Sequence, residues 1–129
     1  GEISIDSNFT TKKYCSIDRK YFNPIIDGMN SVVNGIEGTA KNCKISDYEI
    51  CGKTGTAQNP HGDDHSIFIA FAPKENPKIA IAVYVENGGW GSTWAAPIAS
   101  LMIEKYLKKE ITNKEQESFI LNGNLTKKE

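Results

Sequence analysis

The residues best suited to chemistry in this sequence lie together in the stretch Lys53-Thr54-Gly55-Thr56. Side chains alternate between the two faces of an extended strand, so Thr54 and Thr56 are predicted to share one face and Lys53 to point to the other. Gly52 and Gly55 have no Cβ, which lets a ligand or another backbone approach closely. Two hydroxyls beside an ammonium group suit a carboxylate or another small anion. A strand end with a solvated lysine is the alternative that this short pattern leaves open.

Two other chemistries are weaker. Gly52-Lys53-Thr54 is also how a phosphate-binding P-loop ends, but the first glycine of that motif would fall at Asp47, and Pro60 follows where a helix would have to continue. Nucleotide binding is therefore not expected. The loop after the motif contains possible metal ligands, which are His61, Asp63, Asp64 and His65. A loop tip fits preorganised coordination poorly, so we interpret it as a solvated polar loop and expect no metal and no cofactor. Ser66 beside His65 and Asp64 is not a triad either, since triads are assembled in space.

Composition sets broad limits on the class of protein. The chain has 129 residues, which is long enough for one domain with a core. Its formal net charge is −1 and its lysines and arginines are scattered, so the sequence does not indicate binding to nucleic acid or to a membrane surface. No apolar run reaches the roughly 18 residues of a membrane span. Cys15, Cys43 and Cys51 have unrelated spacings that form neither a disulfide framework nor a zinc signature.

Hydrophobic periodicity predicts a first helix that begins at Asn23-Pro24, with Asn23 as its cap, and ends at Asn34-Gly35. Its apolar stripe predicts a helix that packs on the core, and Gly28 within it suggests close packing there. The stripe consists of Phe22, Ile25, Ile26, Met29, Val32 and Val33. Alternation at Ile3 and Ile5 is consistent with one short strand before this helix, and 36–47 is predicted to be a loop.

Three strands are predicted next, over 48–57, 67–72 and 79–85. The last two are apolar on both faces, so we expect both faces of the sheet to be covered by helices. Only residues 73–78 separate them, and a connection that short joins antiparallel neighbours.

A second helix is predicted from Thr93 or Trp94 to about Leu107, with Pro97 in its first turn. Thr112 and Glu115 form a capping box that predicts a short third helix ending near Gly123, followed by a frayed tail over 127–129. The predicted fold class is therefore α+β, with an antiparallel sheet of three main strands flanked by helices.

Several segments follow one another in a distinctive order: Gly38-Thr39-Ala40, then 51–62 with its Lys-Thr-Gly motif, Asp64-His65, Phe71-Ala72-Pro73, 85–89 and Ala95-Ala96-Pro97. Together they resemble the C-terminal part of the transpeptidase domain of class B penicillin-binding proteins, and most of all the elongation-type branch of that family. The resemblance runs from about Tyr21 to about Leu107. It implies the C-terminal portion of the serine β-lactamase/transpeptidase fold over 1–109, with a tail containing a short helix over 110–129.

The departure from the family pattern is equally informative. No serine in the sequence is followed by lysine three residues later, since Ser16 leads to Arg19 and the Thr10–Lys13 spacing has the wrong nucleophile. Ser46-Asp47-Tyr48 is the nearest match to the second motif, Ser-x-Asn, and lacks its asparagine. We therefore expect this chain by itself to be catalytically inert.

The resemblance also implies roles for individual residues. Lys53, Thr54, Gly55 and Thr56 would bind the substrate. Lys53 and Thr56 would also be catalytic, Lys53 by supplying positive charge and joining the proton relay and Thr56 through its N–H as an oxyanion donor. The implied activity is peptidoglycan D,D-transpeptidation, in which stem peptides ending in D-Ala-D-Ala are cross-linked and β-lactams act as mimics.

The implied setting is the periplasmic face of the inner membrane, anchored by a segment outside this chain, with the cell-elongation machinery as partner. Neither nucleic acid nor direct membrane contact is expected of the chain. A β-lactam sensor, or another non-enzymatic penicillin-binding module of the same fold, is the alternative.

Overall fold

The sheet consists of three consecutive antiparallel strands, β1 (Cys51–Ala57), β2 (His65–Ala72) and β3 (Ile79–Val85), in the order β1-β2-β3. The structure is a computed structural model that describes residues 10–125. The short strand predicted around Ile3 and Ile5 and the tail over 127–129 lie outside this range. The predicted α+β class with a three-stranded antiparallel sheet is confirmed. The first strand begins at Cys51, three residues later than predicted.

Within residues 10–125, three α-helices accompany the sheet: α1 (Asn23–Asn34), α2 (Ala95–Lys108) and α3 (Lys114–Asn122). Short 3₁₀ helices lie at Arg19–Tyr21 and Lys41–Cys43, the second of them within the predicted loop. Helix α1 packs along β1, whereas α2 packs against β2 and β3. All three predicted helices are therefore present.

One face of the sheet holds the core. Along β2 the buried side chains are every second residue, and their partners on β3 are the half-buried ones. These side chains pack with the alanines of α2, which are small enough to let the helix lie close to the sheet. The core residues of this face are Phe68, Ala70, Ala72, Ile79, Ile81, Val83, Ala95, Ala96, Ala99 and Ile103.

The opposite face of the sheet is not fully covered by the described residues. Ile69 is 49% exposed and Tyr84 is 54% exposed, although both lie in strands with continuous apolar sequence. The prediction that helices cover both faces is therefore wrong for residues 10–125. The apolar run shows that the face is hydrophobic, but α2 lies on the other side.

Helix α1 departs from its prediction in three respects. It begins at Asn23 with Phe22 at the cap position and no capping side chain, so Asn23 is not the cap. Only Val33 of its stripe is buried, while Ile25 is 59% exposed. A Cβ placed on Gly28 would meet no atom within 4 Å, so the glycine does not mark close packing among the described residues.

The connection between α2 and α3 is organised by a buried carboxylate. Glu104 accepts hydrogen bonds from the backbone N–H of Thr112, at 3.1 Å, and from its hydroxyl. Because Thr112 is used in this way, the side chain of Asn113 caps α3 instead, accepting from the Gln116 N–H at 3.0 Å. The predicted end of α3 near Gly123 is confirmed.

Candidate functional site

The Lys-Thr-Gly stretch lies on β1, which pairs only with β2 within residues 10–125 and so presents a free edge. Thr54 is opposite Phe68 and Thr56 is opposite Ser66, which places both threonines on the core face. Lys53 is opposite Ile69 and therefore points to the other face. The predicted alternation is confirmed. Because a free strand edge exposes unpaired backbone donors and acceptors, an extended ligand can add to it.

Lys53 and Thr56 are both exposed and make few contacts with the rest of the chain. The Lys53 ammonium donates a hydrogen bond to the carbonyl of Thr54 at 2.6 Å, which holds the charge against its own strand. No carboxylate lies within ion-pair distance of Lys53 among the salt bridges of the described residues. The positive charge is thus available to an anionic ligand.

A third hydroxyl joins the site from outside β1. The Thr39 Oγ1 lies 3.3 Å from the Thr54 Oγ1, and the adjacent Ala40 N–H donates to the carbonyl of Val32 at 2.9 Å. This backbone bond fixes the segment after α1 against the strand. The sequence did not predict Thr39 as a site residue, although Gly38-Thr39-Ala40 contributes to the family resemblance. The proximity of Thr39 to Thr54 depends on tertiary packing, which the local sequence does not indicate.

The glycines of β1 make room for the protein's own atoms. A Cβ on Gly52 would overlap the Phe68 ring, so the ring occupies that space. Gly91, in the loop between β3 and α2, lies directly on Gly55, since a Cβ on Gly91 would be 2.5 Å from the Gly55 carbonyl oxygen. The close approach of another backbone that was predicted at Gly55 is confirmed, and its source is Gly91.

The loop over Gly55 is held by Ser66. This buried serine donates to the carbonyl of Trp90 at 2.9 Å and accepts from the N–H of Ala95 at 3.1 Å. It therefore ties the loop and the first turn of α2 to β2. A hydroxyl buried and engaged in this way cannot act as a nucleophile, in agreement with the rejection of an Asp64-His65-Ser66 triad.

A cleft of about 470 Å³ opens beside Thr56. Its lining combines the apolar residues Trp90, Trp94 and Leu125 with the polar residues Asp63, Asp64 and Asn87. Trp90 is 73% exposed, so this large ring is accessible from solvent. The cleft therefore has a mostly polar lining that includes Thr56, with a smaller apolar part that can contact an apolar group of a ligand.

The loop over 58–64 is bound to its surroundings by hydrogen bonds. The Asn59 N–H donates to the Asp64 carboxylate at 3.1 Å, and the Asn59 side-chain amide donates to Asn87 at 2.9 Å. The Nδ1 of His65 accepts from the Asn87 N–H at 3.1 Å. Within residues 10–125, no group of three or more histidine, cysteine, aspartate or glutamate side chains could hold a metal ion.

The three cysteines are free thiols with different environments. Cys15 is exposed, whereas Cys43 and Cys51 are buried. Burial raises the pKa of Cys43 to about 12, against a smaller opposing effect of the hydrogen bond from Gln116. Burial also raises the pKa of Cys51. Because the thiolate is the reactive form, neither buried cysteine is a nucleophile at neutral pH.

A free-edged strand with Lys-Thr-Gly, backed by an antiparallel sheet and a C-terminal helix, is typical of the penicillin-interacting serine enzymes. Comparison with known proteins agrees. The family model described as penicillin binding protein transpeptidase domain matches residues 7–104. The chain therefore belongs to the penicillin-binding protein transpeptidase family.

Individual relatives give a closer comparison. The chain is 36% identical, over 105 residues, to the peptidoglycan D,D-transpeptidase MrdA of Haemophilus influenzae, which covers 69% of this chain and 16% of that protein. A crystal structure of Pseudomonas aeruginosa penicillin-binding protein 2, in complex with WCK 5153, aligns with a TM-score of 0.65 and 39% identity, over 75% of this chain and 22% of that one.

A third relative carries a β-lactam. The ceftriaxone acyl-enzyme complex of Mycobacterium tuberculosis penicillin-binding protein A aligns with a TM-score of 0.56 and 38% identity, over 64% of this chain and 20% of that one. The predicted resemblance to the elongation-type branch, penicillin-binding protein 2, and the predicted fold family are confirmed. This chain spans only a small part of the length of each relative. No helix within residues 10–125 combines the length and apolar character that crossing a membrane requires.

Proposed function

We propose that this chain is the C-terminal part of the transpeptidase domain of a peptidoglycan D,D-transpeptidase, and that Lys53, Thr54, Gly55 and Thr56 form the substrate-binding side of its active site. The observation that carries the proposal is the Lys-Thr-Gly-Thr stretch on the free edge of β1, with Lys53 and Thr56 exposed and Thr54 half-buried, in a chain matched by the family model. Residues 1–109 belong to this domain, and residues 110–129 form a tail around α3.

The proposed reaction is acyl transfer by a serine outside this chain. The serine oxygen bonds to the penultimate D-Ala carbonyl carbon, the terminal D-Ala leaves with a proton, and an ester forms. An amine of a second stem peptide then attacks the ester, so that an amide forms and the serine is regenerated. Both steps pass through an oxyanion that needs fixed hydrogen-bond donors.

The residues of β1 would each serve one part of this reaction. The hydroxyls of Thr54 and Thr56 bind the terminal carboxylate of the stem peptide, and Lys53 supplies positive charge and takes part in proton transfer at the serine. The Thr56 N–H donates to the oxyanion. Loss of one such donor typically costs about 100- to 1,000-fold in rate.

This chain alone is proposed to be inert, because none of its serines is followed by lysine three residues later. The whole protein would act on stem peptides ending in D-Ala-D-Ala and would be trapped by β-lactams, as the names of its relatives support. It would work with the cell-elongation machinery at the periplasmic face of the inner membrane, anchored by a segment outside this chain.

The test is covalent labelling with a fluorescent penicillin, followed by a denaturing gel. The full-length protein that contains this chain is expected to carry one label per molecule, and the 129-residue chain none. Stoichiometric label on the short chain would contradict the assignment of the nucleophile to another part of the protein. An unlabelled full-length protein would contradict the transpeptidase proposal and favour a different use of the fold.

A further inference from the structure

The C-terminal segment, defined here as residues 114–125, lies beyond the stretch that the family model matches, which ends at residue 104. It consists of α3 and the three described residues after it. Its position in the fold is unexpected for a tail, because it turns back towards the start of α2 and the site on β1.

The segment is docked through one aromatic residue. The Phe119 ring stacks on Trp94, with 5.2 Å between ring centroids and 25° between ring planes. Gly123 also lies against the Trp94 indole, so closely that a Cβ would overlap the ring. Since Trp94 immediately precedes α2 and follows the loop that covers Gly55, the segment contacts the structure that supports β1.

A second contact fixes the other end of α3. The Gln116 side-chain amide donates to the carbonyl of Asn42 at 3.1 Å and lies 3.8 Å from the Cys43 Sγ. Asn42 and Cys43 belong to the 3₁₀ helix that follows Thr39. The segment is thus held on both sides of the site, near the Thr39 hydroxyl at one end and Trp94 at the other.

Both ends of the segment line clefts that lead to the Lys-Thr-Gly strand. Leu125 and Trp94 line the 470 Å³ cleft that also contains Thr56. Gln116 and Phe119 line a neighbouring cleft of about 730 Å³ together with Thr39, whose hydroxyl contacts Thr54. The segment therefore bounds the cleft that contains Thr56 and the cleft that contains Thr39, whose hydroxyl contacts Thr54.

We propose that the C-terminal segment is a wall of the substrate cleft and that Leu125 limits the size of the group bound next to the substrate carboxylate. This inference rests on the proposed function, which assigns the carboxylate to Thr54 and Thr56. A group attached beside the carboxylate must then enter the cleft between Trp90, Trp94 and Leu125. The cleft also has polar lining residues, among them Asp63, Asp64 and Asn87, and Leu125 adds an apolar surface that acts on the bound group through size and shape.

The test enlarges the side chain at position 125 in the full-length protein. Leu125 is 39% exposed, so Leu125→Trp adds bulk at the cleft without filling the core. Leu121→Trp is the matched control, because Leu121 lies in the same segment, is 77% exposed and does not line the cleft. Acylation rates are measured for two cephalosporins that differ only in the size of the substituent next to the carboxylate.

Leu125→Trp is expected to slow acylation by the bulkier cephalosporin by at least about 10-fold relative to the smaller one, a size effect typical of an apolar pocket. The control is expected to keep the wild-type ratio of the two rates. A Leu125→Trp protein with the same ratio as the control would overturn the proposal. A merely structural role would slow both compounds equally and leave the ratio unchanged, which also overturns it.

A second measurement separates this inference from the proposed function. If the wild-type protein is acylated by neither compound, the proposed function fails, and thiol labelling decides whether the segment is docked. Phe119→Ala is expected to speed labelling of the buried Cys43 several-fold, whereas Leu121→Ala is not, because Phe119 stacks on Trp94 and Leu121 is 77% exposed. Equal labelling rates in the two variants would overturn the proposal that the C-terminal segment is a wall of the substrate cleft.

Discussion

Lys53 and Thr56 are the residues of β1 that the fold leaves accessible. The Lys53 ammonium donates to the carbonyl of Thr54, and Thr56 lines a cleft. Ser66, which is directly opposite Thr56 on β2, is buried, and its hydroxyl forms two hydrogen bonds that hold the adjacent loop. The same pair of strands thus contains a hydroxyl that can meet a ligand and one that cannot.

Replacing Lys53 by alanine in the full-length protein is expected to slow acylation by a fluorescent penicillin by about 100-fold or more. The reason is that a positioned acid–base group typically contributes about 100- to 10,000-fold. The measurement is the time course of labelling at saturating probe. Lys78→Ala removes an exposed lysine at the start of β3 and is expected to label at the wild-type rate. Equal rates for the two variants would remove Lys53 from the proposed mechanism.

Gly91→Ala is expected to destabilise the protein, because the new methyl group must displace the backbone of Gly55 beneath it. Overpacking of this kind costs about 1–3 kcal/mol. Gly28→Ala is the matched control, since its Cβ would meet nothing within 4 Å and alanine favours a helix. Unfolding of the two variants in urea measures the difference. A Gly91→Ala protein as stable as the control would show that the loop moves freely away from β1.

For individual residues, the alternation of side chains along a strand predicted the directions of Lys53, Thr54 and Thr56, because these directions depend only on the local backbone. The parts played by Thr39 and Gly91 could not be predicted in the same way. Both act through contacts between segments far apart in sequence, and a single threonine or glycine carries no sign of its distant neighbour.

Among the elements, the strands and helices were predictable from their apolar periodicity, whereas their caps were not. The capping box at Thr112 is a local signal that competes with a tertiary one. The buried Glu104 of α2 takes both the N–H and the hydroxyl of Thr112, and the cap of α3 passes to Asn113. A sequence pattern cannot anticipate this competition, because the carboxylate comes from the preceding helix.

The same carboxylate gives the connection between α2 and α3 a dependence on pH. Burial acts to raise the pKa of Glu104, but hydrogen bonds from Thr112, Asn113 and Lys108 outweigh it, so the pKa lies below its ordinary value of 4.5. The folded state therefore favours the charged form. Its contribution to stability is complete above pH 4.5 and is lost as the pH falls through the folded-state pKa.

Glu104→Gln is expected to lower the free energy of unfolding at pH 7 by about 1–3 kcal/mol, the typical cost of removing one partner of a buried hydrogen bond. As the pH falls below 4.5, the difference from wild type is expected to shrink, because the wild-type side chain then becomes neutral as well. Urea unfolding from pH 7 to pH 3 measures this. Glu110→Gln, at an exposed position in the same connection, is expected to show no such trend. A difference that stays constant with pH would contradict the assignment.

At the scale of the whole molecule, the sequence predicted the class of fold and the family, and the family was recognisable from the order of the segments around Lys-Thr-Gly. The roles of the β1 residues, and the expectation from the lack of Ser-x-x-Lys that the nucleophile lies outside this chain, stay predictions. The prediction that helices cover both faces of the sheet was wrong for the described residues. An apolar strand sequence shows that a surface is hydrophobic, but it does not show which element buries that surface. The chain spans 22% of the aligned penicillin-binding protein 2 structure, so most of that fold has no counterpart within it.

The partly exposed face around Ile69 and Tyr84 is a hydrophobic surface on which a second polypeptide could assemble. A hydrophobic sheet face beside a free strand edge is costly to keep in water, and it offers a large, shaped surface for reassembly. Under the proposed function, we expect that this chain, produced together with a separate polypeptide that carries the rest of a transpeptidase domain, gives penicillin labelling without a peptide bond between the two pieces. The exposed face of the sheet would then be the interface between the two polypeptides of a reporter for β-lactam binding.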